Sequence, residues 1–184
     1  MTGVSIMQCK KALEEAGGDK DKALMALRKK SGEIAAKKGD RTLGSGVVAS
    51  YIHGAGSVGA MVELGCETDF VAKNEEFRQL AYDIAMHIAA VNPKYRTDAD
   101  VTDTDREKAK AFFEEEVAKM DKPAEIKERA LQGKLDTYFK EQTLVDQPFV
   151  KNPDMTIGAL VSAAVQKFGE KTEIVRFVRY AAGK

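Results

Sequence analysis

The 184-residue sequence has no tryptophan, two cysteines, two histidines and four prolines, and its 29 basic side chains are cancelled by 29 acidic ones. Without a basic excess there is little counterion release to drive nucleic-acid binding, so no direct nucleic-acid contact is expected and a protein or small-ligand partner is favoured. Cys9 and Cys66 stand far apart and flank no CxxC. With only His53 and His87 to complete a ligand set, no metal site is expected, and both thiols read as reduced and semi-buried. No apolar run approaches the roughly 20 residues that span a bilayer, and the amino end lacks the order of a signal peptide, so no membrane contact is expected and the cytoplasm is the default address. GxSxG, GxxxxGKS/T and HExxH are all missing. Catalytic residues and cofactors are therefore expected to be none. Gly44-x-Gly46 and Gly54-x-Gly56 do not open a helix after a strand and read as turn glycines.

What is present is a sequence of well-punctuated elements. Ser5 stands three residues before Gln8, the spacing of a capping box, and Ile6, Cys9, Leu13 and Ala16 follow at helical intervals until Gly17-Gly18. Asp19 can cap a second helix with Ala23, Leu24 and Leu27 on one face. Two helices of about three turns make no stable core alone, so either a third helix has been lost before Met1 or the hairpin docks elsewhere. Ser31 to Ser45 is rich in Gly and Lys and reads as a linker, helical at most over Ile34 to Lys38, with a boundary near residue 40. Residues 47–52 and 58–64 are β-rich and joined by His53-Gly54-Ala55-Gly56-Ser57, an antiparallel hairpin. After it, Asn74 can cap a helix carrying Phe77, Leu80, Ala81, Ile84 and Ile88, the clearest amphipathic stripe in the chain. A charged helix around Arg106 to Met120, a turn at Asp121-Lys122-Pro123 and a helix with Ile126, Leu131 and Tyr138 suggest an antiparallel pair. A helix begun by Asp154 or Thr156 precedes Glu173 to Tyr180, whose alternation reads as a third strand with Ile174, Arg176, Val178 and Tyr180 on one face. The fold class is α+β: a small helical module followed by a three-stranded antiparallel sheet packed by helices, plus a helical hairpin.

Between the hairpin and the strong helix lies Thr68-Asp69-Phe70-Val71, a polar pair directly before a large aromatic. One reading has Thr68 or Asp69 capping the turn while Phe70 fills the core. The other has Asp69 and Phe70 projecting from a rigid corner into another protein, as aromatic anchors do at interfaces.

The segments Thr2-Gly3-Val4-Ser5-Ile6-Met7-Gln8-Cys9-Lys10-Lys11-Ala12-Leu13, the turn Gly17-Gly18-Asp19 and Leu27-Arg28 fall in order with Cys66-Glu67-Thr68-Asp69-Phe70-Val71-Ala72-Lys73-Asn74. Ala85 to Ala89, Asn92-Pro93, Gln147 to Val150 and Arg176-Phe177 follow. Together they resemble the elongation factor Ts family, bacterial guanine-nucleotide exchange factors for elongation factor Tu, over essentially the whole chain. The resemblance implies a ubiquitin-associated-like helical module with its linker at 1–40, lacking the first of three helices, and a core domain at 41–184. It implies Leu13, Leu24 and Leu27 exposed where that helix would lie, and a compact, single-core member of a type some of whose members form homodimers.

The resemblance also implies a mechanism. Asp69 and Phe70 would enter the G domain of elongation factor Tu near its phosphate and Mg²⁺ site, with Thr68 and Val71 shaping the corner, so that GDP leaves the GDP-bound partner and a nucleotide-free complex forms. Ile6 and Met7 match a contact of the helical module with the same G domain. His53 and Gly54, at the hairpin tip, match a loop that reaches a β domain of the partner in longer members. Set against this are a helical adaptor that binds another protein without exchange activity and an enzyme with an unrecognised site.

Overall fold

The computed structural model describes residues 4–183, so Thr2 and Gly3 of the first signature lie outside the described residues. Along the chain run α1 (Ile6–Glu15), α2 (Lys20–Lys37), β1 (Ser45–His53), β2 (Val58–Cys66), α3 (Asp69–Ala72), α4 (Glu75–Val91), α5 (Asp103–Ala118), α6 (Ala124–Gln142), β3 (Pro148–Phe149), β4 (Asn152–Thr156), α7 (Ile157–Phe168) and β5 (Thr172–Ala181). The chain divides into two compact units, one of residues 1–91 with 148–184 and one of residues 92–147.

In the first unit, helix starts follow from local hydrogen bonds. The Ser5 hydroxyl accepts from the Gln8 N–H, the Asp19 carboxylate from the N–H groups of Asp21 and Lys22, and the Thr156 hydroxyl from the Ala159 N–H, each meeting a donor that a helix's first turn leaves free. The segment expected to be a linker from Ser31 is helical as far as Lys37, because α2 lies along α7. Ser31 is buried there, and its hydroxyl meets the Leu27 carbonyl and the Gln166 side chain of α7. The Gln166 amide also donates to Gln8 Oε1 at 3.0 Å, so the hairpin of α1 and α2 docks on α7. Ala12, Ala23 and Leu27 form its own small core with Val4, Cys9 and Ala16 packed around it. Leu27, expected to be exposed, is therefore buried, whereas Leu13 is exposed.

The sheet is antiparallel in the order β1-β2-β5. One face is covered by α4. Ala60, Val62, Leu64 and Cys66 alternate along β2 toward that face and are all buried, as are Phe77, Ala81, Ile84, Ala85 and Ile88 of α4. Phe77 meets Phe168 of α7 edge-on, with ring centroids 5.6 Å apart. Cys66 is thus fully buried rather than semi-buried, and both cysteines are free thiols.

The simple alternation expected of the last strand is broken. Leu64 stands opposite Ile174 and Glu63 opposite Arg176, so Val175 is the extra residue of a bulge. Ile174 consequently shares the α4 side with Phe177, while Arg176, Val178 and Tyr180 lie on the opposite, exposed side. There they stand opposite Glu63, Met61 and Gly59, which in turn face Val48, Ser50 and Ile52 of β1. This outer face carries exposed Val48, Ile52, Met61, Val178 and Tyr180.

His87 is buried within α4, where its Nδ1 accepts the Val150 N–H at 3.4 Å beside Phe149 of the β3–β4 hairpin. The second unit is the expected helical pair, α5 against α6, around Tyr95, Val101, Ala109 and Phe139 with Phe113, Leu135 and Tyr138 packed on them. Among the described residues, no helix is long and apolar enough to cross a membrane.

Candidate partner-binding site

The corner after β2 is built from three short stretches of chain. Cys66 ends the strand in the core, and its thiol donates to the Thr68 carbonyl at 3.2 Å. Burial, with the nearby Glu170 charge, pushes that thiol's pKa up and keeps it protonated as the donor. Thr68 is extended (φ −126°, ψ 158°) and its hydroxyl accepts the Val71 N–H at 3.5 Å, which starts the single turn of α3. Of the apolar residues on that turn, Val71 and Ala72 are 4% and 8% exposed and Phe70 81%. The core-filling position thus belongs to Val71. Phe70, about 100° round the turn from the buried Val71, stands in solvent.

The backbone of the corner is held from a distance. The Glu170 carboxylate, in the turn between α7 and β5, accepts the N–H of Glu67 at 3.1 Å, the N–H of Thr68 at 3.0 Å and the Thr68 hydroxyl at 2.6 Å. The Glu67 carboxylate in return accepts the Lys171 N–H at 2.5 Å and Arg41 at 3.2 Å. These contacts, the Lys171 backbone N–H first, hold the Glu67 carboxyl below its usual range. Lys171 and Lys38 reach across to the backbone carbonyls of Gly39 and Gly169, binding the segment after α2 to the same turn. Glu67 and Glu170 carry no sequence signal for this role, since the bonds between their two stretches join residues 102 to 104 positions apart.

Beside Phe70, the exposed Asp69 carboxylate accepts from Lys73 Nζ at 2.6 Å, and this hydrogen bond and charge lower its pKa. Asp69 is ionised at neutral pH and sits next to an apolar ring with no cover, a pairing of a hydrophobic anchor with an anion.

The other sequence-predicted residues lie elsewhere. Ile6 and Met7 occupy the first turn of α1 and are 88% and 82% exposed. Their neighbour Gln8 is bonded to Gln166, four residues before Glu170, so the start of α1 and the corner are tied to the same end of α7. His53 and Gly54 are exposed at the hairpin tip, where the Tyr51 hydroxyl lies 3.0 Å from His53 Nδ1 and Gly54 takes a positive φ of 57°. The tip and the corner are at opposite ends of the nine-residue β2, about 26 Å apart at a strand's rise of about 3.3 Å per residue. A single partner touching both must span the sheet's length. The described residues offer no cluster of three or more His, Cys, Asp or Glu side chains able to hold a metal.

The family model described as Elongation factor TS matches residues 9–184. The chain is 46% identical over 183 residues to the Elongation factor Ts of Carboxydothermus hydrogenoformans, covering 100% of this chain and 84% of that protein. It is 48% identical over 183 residues to those of Alkaliphilus metalliredigens and Thermodesulfovibrio yellowstonii, covering 100% of this chain in both cases and 85% and 91% of the relatives. With a family match over residues 9–184 and relatives 46–48% identical across the whole chain, the chain belongs to the elongation factor Ts family.

Proposed function

We propose that this chain is a guanine-nucleotide exchange factor that acts in the cytoplasm on elongation factor Tu. It binds the GDP-bound form, disturbs the Mg²⁺ and phosphate site, and releases GDP so that GTP can enter. The observation that carries this reading is Phe70, 81% exposed on a turn whose neighbours are hydrogen-bonded in place. An exposed aromatic on a fixed support inserts into a partner at small entropic cost. Asp69 beside it brings a negative charge toward a cation-holding site, and Thr68 and Val71 set the turn's geometry. No covalent bond is made or broken in this scheme, so the chain acts by binding and not as an enzyme.

The energetics call for more than one contact. Weakening GDP binding about a thousandfold needs roughly 4 kcal/mol of coupling, and GDP weakens factor binding by the same amount. Burial of one Phe supplies about 1.5–3 kcal/mol. Ile6 and Met7 supply a second apolar contact from the ubiquitin-associated-like module of residues 1–40, while His53 and Gly54 extend the core domain of residues 41–184 toward a further domain of the partner. The open outer face of the sheet, with Val48, Ile52, Met61, Val178 and Tyr180, supports a homodimer as a second association.

The test is release of a fluorescent GDP from elongation factor Tu into excess unlabelled GDP, with the chain in catalytic amounts. The intact chain should accelerate release and its Phe70→Ala form should largely fail to do so. Binding without acceleration by the intact chain would instead favour a helical adaptor.

A further inference from the structure

We infer that Glu170 is the positioning residue of the exchange corner: its carboxylate fixes the Thr68 hydroxyl and backbone, and thereby the turn that presents Asp69 and Phe70. This inference rests on the exchange reading above and adds to it a residue outside the Thr68–Val71 segment.

The argument is one of donors and acceptors. A threonine hydroxyl has one proton and two lone pairs. In Thr68 the proton is committed to Glu170 Oε1 at 2.6 Å, which turns a lone pair toward the Val71 N–H. An ionised carboxylate only accepts, so it sets the direction of that relay without ambiguity. Its other oxygen takes the N–H groups of Glu67 and Thr68, two donors left without ladder partners where β2 ends. Two residues of the corner, Glu67 and Thr68, are thereby held directly by one side chain, and Val71 is held through the Thr68 hydroxyl. Three of Thr68's polar groups are spoken for, since its carbonyl accepts from Cys66.

The support is itself anchored. Gly169 ends α7 in the left-handed region at φ 72°, which turns the chain so that Glu170 leaves the helix toward the corner. The reciprocal bond from the Lys171 N–H to Glu67 closes the pair of stretches against each other. A corner fixed this way presents Phe70 in one place. Released from it, the four-residue α3 keeps only the burial of Val71 and Ala72 and its own turn to hold it, and a single helical turn is not stable alone.

The test is nucleotide-exchange kinetics of Glu170→Ala, Glu170→Gln, Phe70→Ala and the double variant Glu170→Ala/Phe70→Ala, each checked for its fold by thermal melting. Glu170→Ala should lower kcat/KM for GDP release by about 10- to 100-fold, the loss that about 1 Å of misplacement produces. Glu170→Gln keeps an oxygen for the backbone donors, but its amide would donate to the Thr68 hydroxyl and leave the hydroxyl proton without the acceptor that now fixes its direction. It should melt close to wild type and lose activity by about 3- to 10-fold, which tests the inference even if the alanine variant melts early. Because Glu170 acts through Phe70, the double variant should be no worse than Phe70→Ala within about twofold. Full activity in Glu170→Gln, or a double-variant loss equal to the product of the single losses, would overturn the positioning role while leaving the exchange reading intact. An intact chain that does not accelerate GDP release overturns the exchange reading and this inference with it.

Discussion

Phe70 and Phe77 are seven residues apart and differ in burial as far as two phenylalanines can, at 81% and 0% exposed. Replacing each by alanine should therefore separate activity from stability. Phe77 lies between the sheet and Phe168, so Phe77→Ala removes a full side chain from a close-packed core and should cost about 3–5 kcal/mol. In a chain of this length about 1 kcal/mol corresponds to roughly 2–4 °C, which places the melting temperature about 6–20 °C lower. Phe70→Ala removes a ring that is mostly in water and should leave stability within about 0.5 kcal/mol, or roughly 2 °C. Its effect should appear in exchange: loss of about 1.5–3 kcal/mol of interface burial is about a 10- to 150-fold fall in kcat/KM for GDP release. Circular dichroism melting and stopped-flow release of labelled GDP, on the same protein samples, read both quantities. A Phe70→Ala variant that melts as low as Phe77→Ala, or that loses less than about threefold in exchange, would refute the assignment of Phe70 as an interface residue.

The remaining predictions concern the clamp, the sheet and the outer face. Glu67 titrates below its usual 4.5, chiefly because the Lys171 N–H and then Arg41 favour its charged form. The unfolded chain therefore takes up the proton first, and the stabilisation is complete above about pH 4.5 and lost as pH falls through the folded-state value. Glu67→Gln should melt below wild type at about pH 7, with the gap closing as pH falls below about 4.5, and a pH-independent gap would contradict the clamp. A Cβ on Gly46 would come within 2.7 Å of the Leu64 carbonyl oxygen, which the ladder holds, whereas one on Gly59 would press on the tip of the Ile52 side chain on the open face and lie at ordinary contact distance, 3.7 Å, from the Tyr51 carbonyl oxygen. Gly46→Ala should cost about 1–3 kcal/mol and Gly59→Ala clearly less, by denaturant melts, and the reverse order would contradict the register. Sedimentation equilibrium should detect a dimer that Met61→Glu disrupts, and a chain that stays monomeric throughout the micromolar range would remove the homodimer.

Much of the fold was legible because its signals are local. Ser5, Asp19 and Thr156 each cap a helix through a donor two or three residues away, and such a bond needs no tertiary context. The stripe Phe77, Ala81, Ile84, Ile88 is the buried face of α4, since a 3.6-residue period leaves few other ways to cover it. Where the reading failed, a remote partner decided. The Gly- and Lys-rich stretch after Ser31 continues as helix because Gln166 waits on α7 for the Ser31 hydroxyl. The alternation of β5 breaks at Val175 because the register against β2 shifts between Glu63 and Leu64. Thr68-Asp69-Phe70-Val71 announced a corner, but the residues alone left open whether Phe70 filled the core or projected from the surface.

By itself the sequence determined the α+β class, the helix starts, the hairpin, the third strand and the segment in which a partner-binding corner should be sought. Those follow from periodicities and from hydrogen bonds that close within a few residues. The tertiary structure alone decided that Val71 is inside and Phe70 outside, that α2 docks along α7, and that Glu170 holds a corner 102 residues away from it in sequence. Contacts of that separation exist only after the sheet has brought the two stretches together, and nothing in either stretch encodes the other.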